Sequence, residues 1–509
     1  SDLTDFSFNT YNPGGGVLDM VDIDESRLTF DRYLFANNNR LPFGADSGTS
    51  NFRVKNFTGT GAFWLFDVTD PFHPQRLTDF REGGSPSDRW LEFGDSTFQK
   101  TCYFATSGFY APAVSDIEIV KLRNLADESR QAHYIVIMND LLKNGVEDLL
   151  AYRATANLNN LKVMVVTPEE IFNEFNYGIA DVRGIKQFIG YAWHHWATPR
   201  PRYVVLAGDS TYDPLNNEIP DADLLMTPFT STSFGYTSAD QWYGTISGND
   251  NLTDLGIGRL PVNNVNQLNM ILNKMTAYEP EVVKSNVGWN RRAHFVADNG
   301  NDTSGFTTEF QDSCEEIRNN VFPSAGWNKT TGYLNASGSN LGTIRNQITQ
   351  AINTTGIYAL HYEGHGAPSQ WMDENAYDNG NVTALSNNIW PMIGIFTCIN
   401  GVYFVPDSNC MVENFLRQDL QGSIACVAPT GQALSPVSFV LAKEYYNAML
   451  NNKHVVSLNG SNFTYATVNT TRIGDAFQNG LTAVWMFYGN GITELLFYNL
   501  FGDPALRIK

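Results

Sequence analysis

The sequence predicts an α/β protein, with mainly parallel sheets in two successive α/β subdomains behind a β-rich N-terminal segment. Three observations carry that prediction. Runs such as His133-Tyr-Ile-Val-Ile-Met138 and Tyr203-Val-Val-Leu-Ala207 are apolar almost throughout, which marks strands covered on both faces. Amphipathic stretches of helical length stand between them, the alternation that builds parallel βαβ units. Residues 1–128 instead carry short apolar segments between Gly, Pro, Asn and Asp clusters, without helical periodicity.

In the β-rich domain, 1–128, strands are expected around Gly61–Val68 and Gln99–Ala105. The character changes near Ala126-Asp-Glu-Ser129. The first α/β subdomain, 129–285, has strands at His133–Met138, Lys162–Val166 and Tyr203–Ala207. Its helices run from Asn144 to Ala156, Val182 to Trp196 and Val265 to Tyr278, closing at Glu279-Pro280. The second, 286–509, has strands at Ala293–Ala297, Ile357–Tyr362, Met392–Phe396 and Ser423–Val427. Its helices fall near 307–321, 339–353, 411–419, 435–451 and 472–487. No internal repeat of solenoid period is present.

Composition narrows the function. With 53 acidic against 33 basic residues the formal charge is −20, which argues against a nucleic-acid backbone or an anionic membrane as main partner. No apolar run is long enough to span a bilayer. Ser1 is neither an initiator Met nor the start of a signal peptide, so a processed piece or fragment of a longer chain is expected. The loops, rich in Asn, Asp, Gly, Thr and Ser, and the low Lys content suggest an exported protein. Sequons such as Asn56 and Asn328 are expected by chance in so Asn-rich a chain. Five cysteines without a CxxC pair exclude a zinc ribbon, and a core this large needs no disulfide framework, so a free thiol is expected.

In open parallel sheets ligands bind beyond the carboxyl ends of the strands. Four such ends are chemically loaded: Ala207–Pro214, Ala297–Asp302, Tyr362–Gly366 and Thr397–Gly401. The sharpest pair is His365, between Gly364 and Gly366, with Cys398. Imidazole beside a thiol raises the thiolate fraction and can protonate a leaving amine. The amides of Gly366 and Cys398 could hold the oxyanion. The bland alternative is a buried structural cysteine near a turn histidine.

Other chemistries compete. On a strand His361, Glu363 and His365 would share one face and could hold zinc, although the helical pair of a zincin is incompatible with Gly364 and Gly366. Gly208-Asp-Ser210 resembles a serine-hydrolase motif, but the only Asp-x-x-His, Asp70 to His73, lies upstream, so Asp209 and Asp213 read as turn formers or calcium ligands. Ser247–Asp254, with Asp250 and Asp254, and Asp298–Asp302 are oxygen-rich loops that could bind structural Ca2+, though neither has EF-hand spacing and most such clusters are only turns.

Gly364-His-Gly366 with Trp371, Phe396-Thr-Cys-Ile-Asn-Gly401 and Asn409-Cys-Met-Val-Glu-Asn-Phe415 together resemble the gingipain family of cysteine peptidases. Leu206–Asp213, Gln241-Trp-Tyr-Gly244, Ile257–Pro261 and Phe501-Gly-Asp-Pro-Ala505 agree. Within the family, Phe66-Asp-Val-Thr-Asp-Pro71 ahead of the catalytic unit is similar to the type IX secretion sortase. The resemblance implies a caspase-like catalytic unit of two α/β subdomains, with His365 as general base and acid and Cys398 as nucleophile. It implies that Asp298, with Asp where the gingipains have Glu, orients the imidazole. Glu363 and Phe396 would line the pocket before the scissile bond, unless Glu363 pairs with a surface cation and Phe396 is core; the deep acid of the Arg-specific members falls within 303–313. No cofactor is required for this chemistry, and family members bind calcium. The sortase likeness implies exported substrates with C-terminal sorting domains, lipopolysaccharide as an acceptor, the outer-membrane β-barrel shuttle protein PorV as partner, and a place at the bacterial surface. A general secreted protease and a non-catalytic binding module on the same scaffold are the alternatives.

Overall fold

The computed structural model describes residues 34–70, 73–97, 101–108, 120–155, 159–214, 219, 223–284, 288–300 and 309–509. It divides into two compact units, one up to Ile119 and one from Val120 onward.

The N-terminal unit is antiparallel. Arg40–Ala45, Thr101–Ser107, Phe63–Asp67 and Gln75–Leu77 form one sheet, and Gly48–Phe57, Asp88–Thr97 and Arg81–Ser85 another. Alternation puts Leu41, Phe43, Tyr103 and Ala105 inside and their neighbours out. Aromatic rings fill the space between, as with Phe52 and Phe93 at 5.1 Å.

The second unit is built on one ten-stranded sheet. Its strands are β1 (Tyr134–Met138), β2 (Val163–Val166), β3 (Tyr203–Ala207), β4 (Gly256–Leu260), β5 (Arg292–Ala297), β6 (Asn328–Tyr333), β7 (Ala359–Glu363), β8 (Met392–Phe396), β9 (Ala425–Pro429) and β10 (Tyr498–Phe501). The order across the sheet is β6-β5-β7-β8-β9-β10-β4-β3-β1-β2. Every residue of β1, β3, β4, β7, β8, β9 and β10 is buried, as two-sided coverage by helices requires. Asp181 caps the helix Val182–His195 and Asn264 caps Val265–Val282. The latter continues through Pro280, past the expected stop, because Glu279 is locked into the core by Arg153.

All neighbouring strands are parallel except β9 and β10. The two α/β halves therefore share one sheet but run in opposite directions. The carboxyl ends of β5, β7 and β8 face one edge; that of β3, with Asp209, faces the other. The Asp209 turn is thus separated from the other three loaded ends. Its carboxylate accepts the Ser210 N–H at 3.0 Å and pairs with Arg417 at 2.6 Å.

The seam is clamped by buried charge. Arg153 bonds Glu279 at 2.7 Å and Asp503, just past β10, at 2.8 Å. The Tyr134 hydroxyl donates to the same Asp503 at 2.7 Å. Removing Asp503 leaves buried Arg153 with Glu279 as its one carboxylate partner and the Tyr134 hydroxyl without its acceptor. Asp503→Ala is therefore expected to lower the unfolding free energy by about 3–5 kcal/mol, read by urea denaturation.

Candidate active site

His365 lies just beyond β7. Tyr362 donates its hydroxyl to the His365 carbonyl and accepts the Met372 N–H at 3.0 Å, while its ring stacks on Trp371 at 4.5 Å. Met372 N–H also bonds the His365 carbonyl at 2.9 Å, closing a tight loop around the histidine. Gly364 is required by close approach: a Cβ there would meet the Asp298 Cβ at 2.4 Å. The edge of Phe310 packs at right angles to the imidazole at 5.3 Å.

Cys398 lies just beyond β8. Its thiol donates to the Ala433 carbonyl at 3.6 Å. Ile399, the next residue, is held at φ +44°, a strained conformation for a β-branched side chain. Its N–H bonds the Gly431 carbonyl at 3.0 Å, which keeps the turn in place.

The two loops are in contact. A Cβ on Gly366 would stand 2.5 Å from Thr397 Oγ1 and 3.2 Å from the Cys398 carbonyl oxygen. Asn400, fully buried, ties them together: its side chain donates to the Ala367 carbonyl at 2.7 Å and accepts from Trp371 Nε1 at 3.1 Å. Tyr403 carries the Cys398 loop onto the first half of the sheet, donating at 3.0 Å to Asp240, which pairs with buried Arg259 at 2.6 Å. A histidine and a cysteine on adjoining strand-end loops, each anchored by buried polar contacts, form a site suited to acyl transfer.

The model of peptidase family C25 matches residues 127–509. The chain belongs to that family. Gingipain R2 of Porphyromonas gingivalis (strain ATCC BAA-308 / W83) is 25% identical over 391 residues, 75% of this chain and 47% of that protein. Gingipain R1 of Porphyromonas gingivalis is 24% identical over 389 residues, 75% of this chain and 35% of that protein. The chain thus spans about half or less of the length of these relatives. Among solved structures, the Arg-specific cysteine proteinase gingipain R superposes with a TM-score of 0.58 at 21% identity, over 75% of this chain and 79% of that one. The fold is therefore gingipain-like, and this C25 unit is of the cysteine peptidase class.

Within this C25 unit, Asp298 does not meet the imidazole. One carboxylate oxygen accepts the Asn299 N–H at 2.7 Å and the other the backbone N–H of His365 at 3.0 Å. The side chain thus sets the His365 main chain. Burial raises its pKa to about 6, against the pull of those two N–H groups. Nε2 of His365 is buried and has no hydrogen-bond partner among the described residues. The thiol of Cys398 is pushed upward in pKa, first by burial and also by the Glu494 carboxylate, while the Ala433 contact opposes the shift. At rest Cys398 is therefore a thiol pointed at a carbonyl.

Two expectations for the pocket need correction. Glu363 is fully buried and meets no Lys or Arg among the described residues; its neighbours are His361 at 3.2 Å, Cys314 at 3.9 Å and Ser313. Phe396 is core, packed on His361 at 5.2 Å and near Tyr498 at 6.1 Å. Strand alternation puts the side chains of Glu363 and His361 on one covered face, away from solvent. The metal trio changes likewise: His361 and Glu363 are joined by Cys314, and His365 stands apart beyond the strand. Asp250 and Asp254 bond their own loop, Asp250 taking the Leu252 N–H at 3.0 Å and Asp254 those of Ile246 and Ser247 at 3.0 and 2.8 Å. The oxygen-rich stretch beyond Gly300 lies outside the described residues up to 308. All five cysteines are unpaired.

The span 303–313, within which the family's deep acid was expected, includes Glu309, which sequence reasoning did not single out. Its carboxylate accepts from Ser435, two residues past the Ala433 carbonyl that holds Cys398, and its neighbour Phe310 packs on His365. It stands on a helix that precedes His365 by many residues, and no local motif marks it.

Three outcomes follow. At neutral pH, Cys398 in the resting chain should alkylate more slowly than exposed Cys102, as read by peptide mapping. Asn400→Ala should lower kcat by about 10²-fold with little change in KM, because it loosens the register of the two loops. Activity should fall as pH drops through about 6, where Asp298 protonates and one of its two acceptor oxygens is lost. The stability linkage has the opposite sign. Folding raises this carboxyl's pKa, so its contribution to stability declines as pH rises from about 4 to about 6, a decline that urea midpoints of Asp298→Ala should lack.

Proposed function

We propose that this chain is a cysteine endopeptidase with Cys398 as nucleophile and His365 as its base and acid. The observation that carries the proposal is the abutment of the two strand-end loops at Gly366 and Thr397-Cys398. Substrate entering there displaces the Ala433 contact. Imidazole takes the thiol proton as Sγ attacks the scissile carbonyl. The N–H groups of Gly366 and Cys398 face the oxyanion, and the imidazolium returns its proton to the leaving amine. A thioester remains on Cys398, to be released by water or by another amine.

Glu309, beside both loops, favours a basic residue before the scissile bond. Asp250 and Asp254 remain the proposed calcium loop, with a structural role only.

The finer assignment follows the motif likeness, with Phe66-Asp-Val-Thr-Asp-Pro71 ahead of the peptidase unit. By it, the enzyme is a type IX secretion sortase of the PorU kind. It acts at the outer membrane with PorV, removes C-terminal sorting domains, and passes the acyl group to lipopolysaccharide. No helix among the described residues is long and apolar enough to cross a membrane; the proposed attachment runs through the partner or through regions outside this sequence.

Cys398→Ala and His365→Ala should each cut peptide hydrolysis by about 10⁴-fold or more. Glu309→Gln should reduce kcat/KM for Arg or Lys substrates by about 10²-fold and leave apolar substrates little changed. Full activity in Cys398→Ala would sink the peptidase assignment. The sortase assignment is tested on a cargo with and without its sorting domain, in the presence of PorV and lipopolysaccharide. Cleavage that ignores the sorting domain and yields only hydrolysed ends would instead mark a general protease.

A further inference from the structure

Behind His365, on the covered side of β7, lies a cluster that catalysis does not use. Cys314 comes from the helix Glu309–Glu316; His361 and Glu363 come from alternate positions of β7. All three are at most 1% exposed. One ligand-type atom from each lies within 4.8 Å of the others.

We propose that Cys314, His361 and Glu363 form a buried site for a borderline-soft divalent cation of the zinc type. Zinc–ligand bonds of about 2.0–2.3 Å in a tetrahedron set ligand–ligand edges of about 3.3–3.8 Å. The measured separations, 3.2 Å from His361 Nε2 to Glu363 Oε2 and 3.9 Å from Cys314 Sγ to the same oxygen, bracket that range. Thiolate, imidazole and carboxylate are the donor types this cation takes. Ser313, on the same helix as Cys314, also interacts with the Glu363 carboxylate, whose Oε1 is buried and faces the cluster.

The charges also match. Coordination by one thiolate, one carboxylate and one neutral imidazole balances the two charges of such a cation. A dication entering as one proton leaves Sγ and one leaves the carboxyl keeps the net charge at zero. The cation-free alternative is a chain of neutral hydrogen bonds, with the thiol reaching the Val296 carbonyl at 3.5 Å.

The site has a mechanical role. Phe310, on the same helix as Cys314, packs on the His365 ring, and Glu363 precedes Gly364-His365. A cation would pin that helix to β7 and so position the imidazole without touching substrate. The cluster is a positioning site, and its existence does not depend on the assignment of Cys398.

The test uses the full chain carrying Cys398→Ala, so that no signal can come from the nucleophile. After chelation the protein is loaded with cobalt(II), the spectroscopic stand-in for zinc. The expected result is stoichiometric binding with a thiolate-to-cobalt charge-transfer band, bleached by added zinc and absent when Cys314→Ala is also introduced. Absence of the band in the folded Cys398→Ala chain, or the same band without Cys314, overturns the proposal. Should the double variant fail to fold, alkylation of Cys314 in the folded Cys398→Ala chain decides. Marked slowing by zinc supports the site, and an unchanged rate overturns it.

Discussion

Everything in the peptidase unit depends on where β10 sits. It pairs antiparallel with β9 and parallel with β4, and so welds two oppositely directed parallel blocks into one sheet. Backbone pairing alone does not fix the angle or register of such a join. Asp503 does, by accepting from Arg153 and Tyr134 immediately after the strand. The Arg259–Asp240 pair repeats the logic nearer the chemistry, since Tyr403 hangs the Cys398 loop on it. Charges this deep are costly unless fully paired, and here each carboxylate has a guanidinium in direct contact. Their benefit is geometric. The first half of the sheet, which carries none of the proposed catalytic groups, holds the loop that carries Cys398.

At the site itself, polar groups are spent on the main chain. Asp298 holds the His365 amide, Asn400 joins the histidine hairpin to the cysteine turn, and Ala433 takes the thiol proton's hydrogen bond. Among the described residues, the imidazole Nε2 has no hydrogen-bond partner. The resting arrangement is rigid in backbone and uncommitted in proton transfer. Burial and the nearby Glu494 carboxylate push the Cys398 thiol up in pKa, so in the proposed mechanism the thiolate forms only when substrate is present.

Much of this was legible in the sequence, for reasons that differ by element. β3 and β8 begin and end where their apolar runs do, because both faces are covered and nothing else competes. The helix Ser435–Asn451 likewise follows its periodicity. β4 was hidden because it contains two glycines and an arginine, and only the distant Asp240 makes that arginine tolerable inside. β6 was hidden because it is an edge strand, half exposed and polar. His365 and Cys398 were legible because glycines and strand ends flag them locally. Glu309, Phe310 and Cys314 were not, because a helix brings them to the site from far along the chain. Glu363 was misplaced for a related reason: a charged residue at a strand end suggests a ligand pocket, whereas alternation turned it into the core toward Cys314.

The position of β10 also bears on timing. The strand that closes the sheet at its centre is supplied last among its ten members, after both of its neighbours have been made. Until residues 498–503 arrive, β4 and β9 expose open edges to each other, and Arg153 has lost one of its two carboxylate partners. A chain still threading through a ribosome tunnel or a translocation pore therefore holds its cysteine and histidine in an unfinished scaffold. Synthesis order thus sets when the sheet closes: its two blocks are made early, and β10 joins them last.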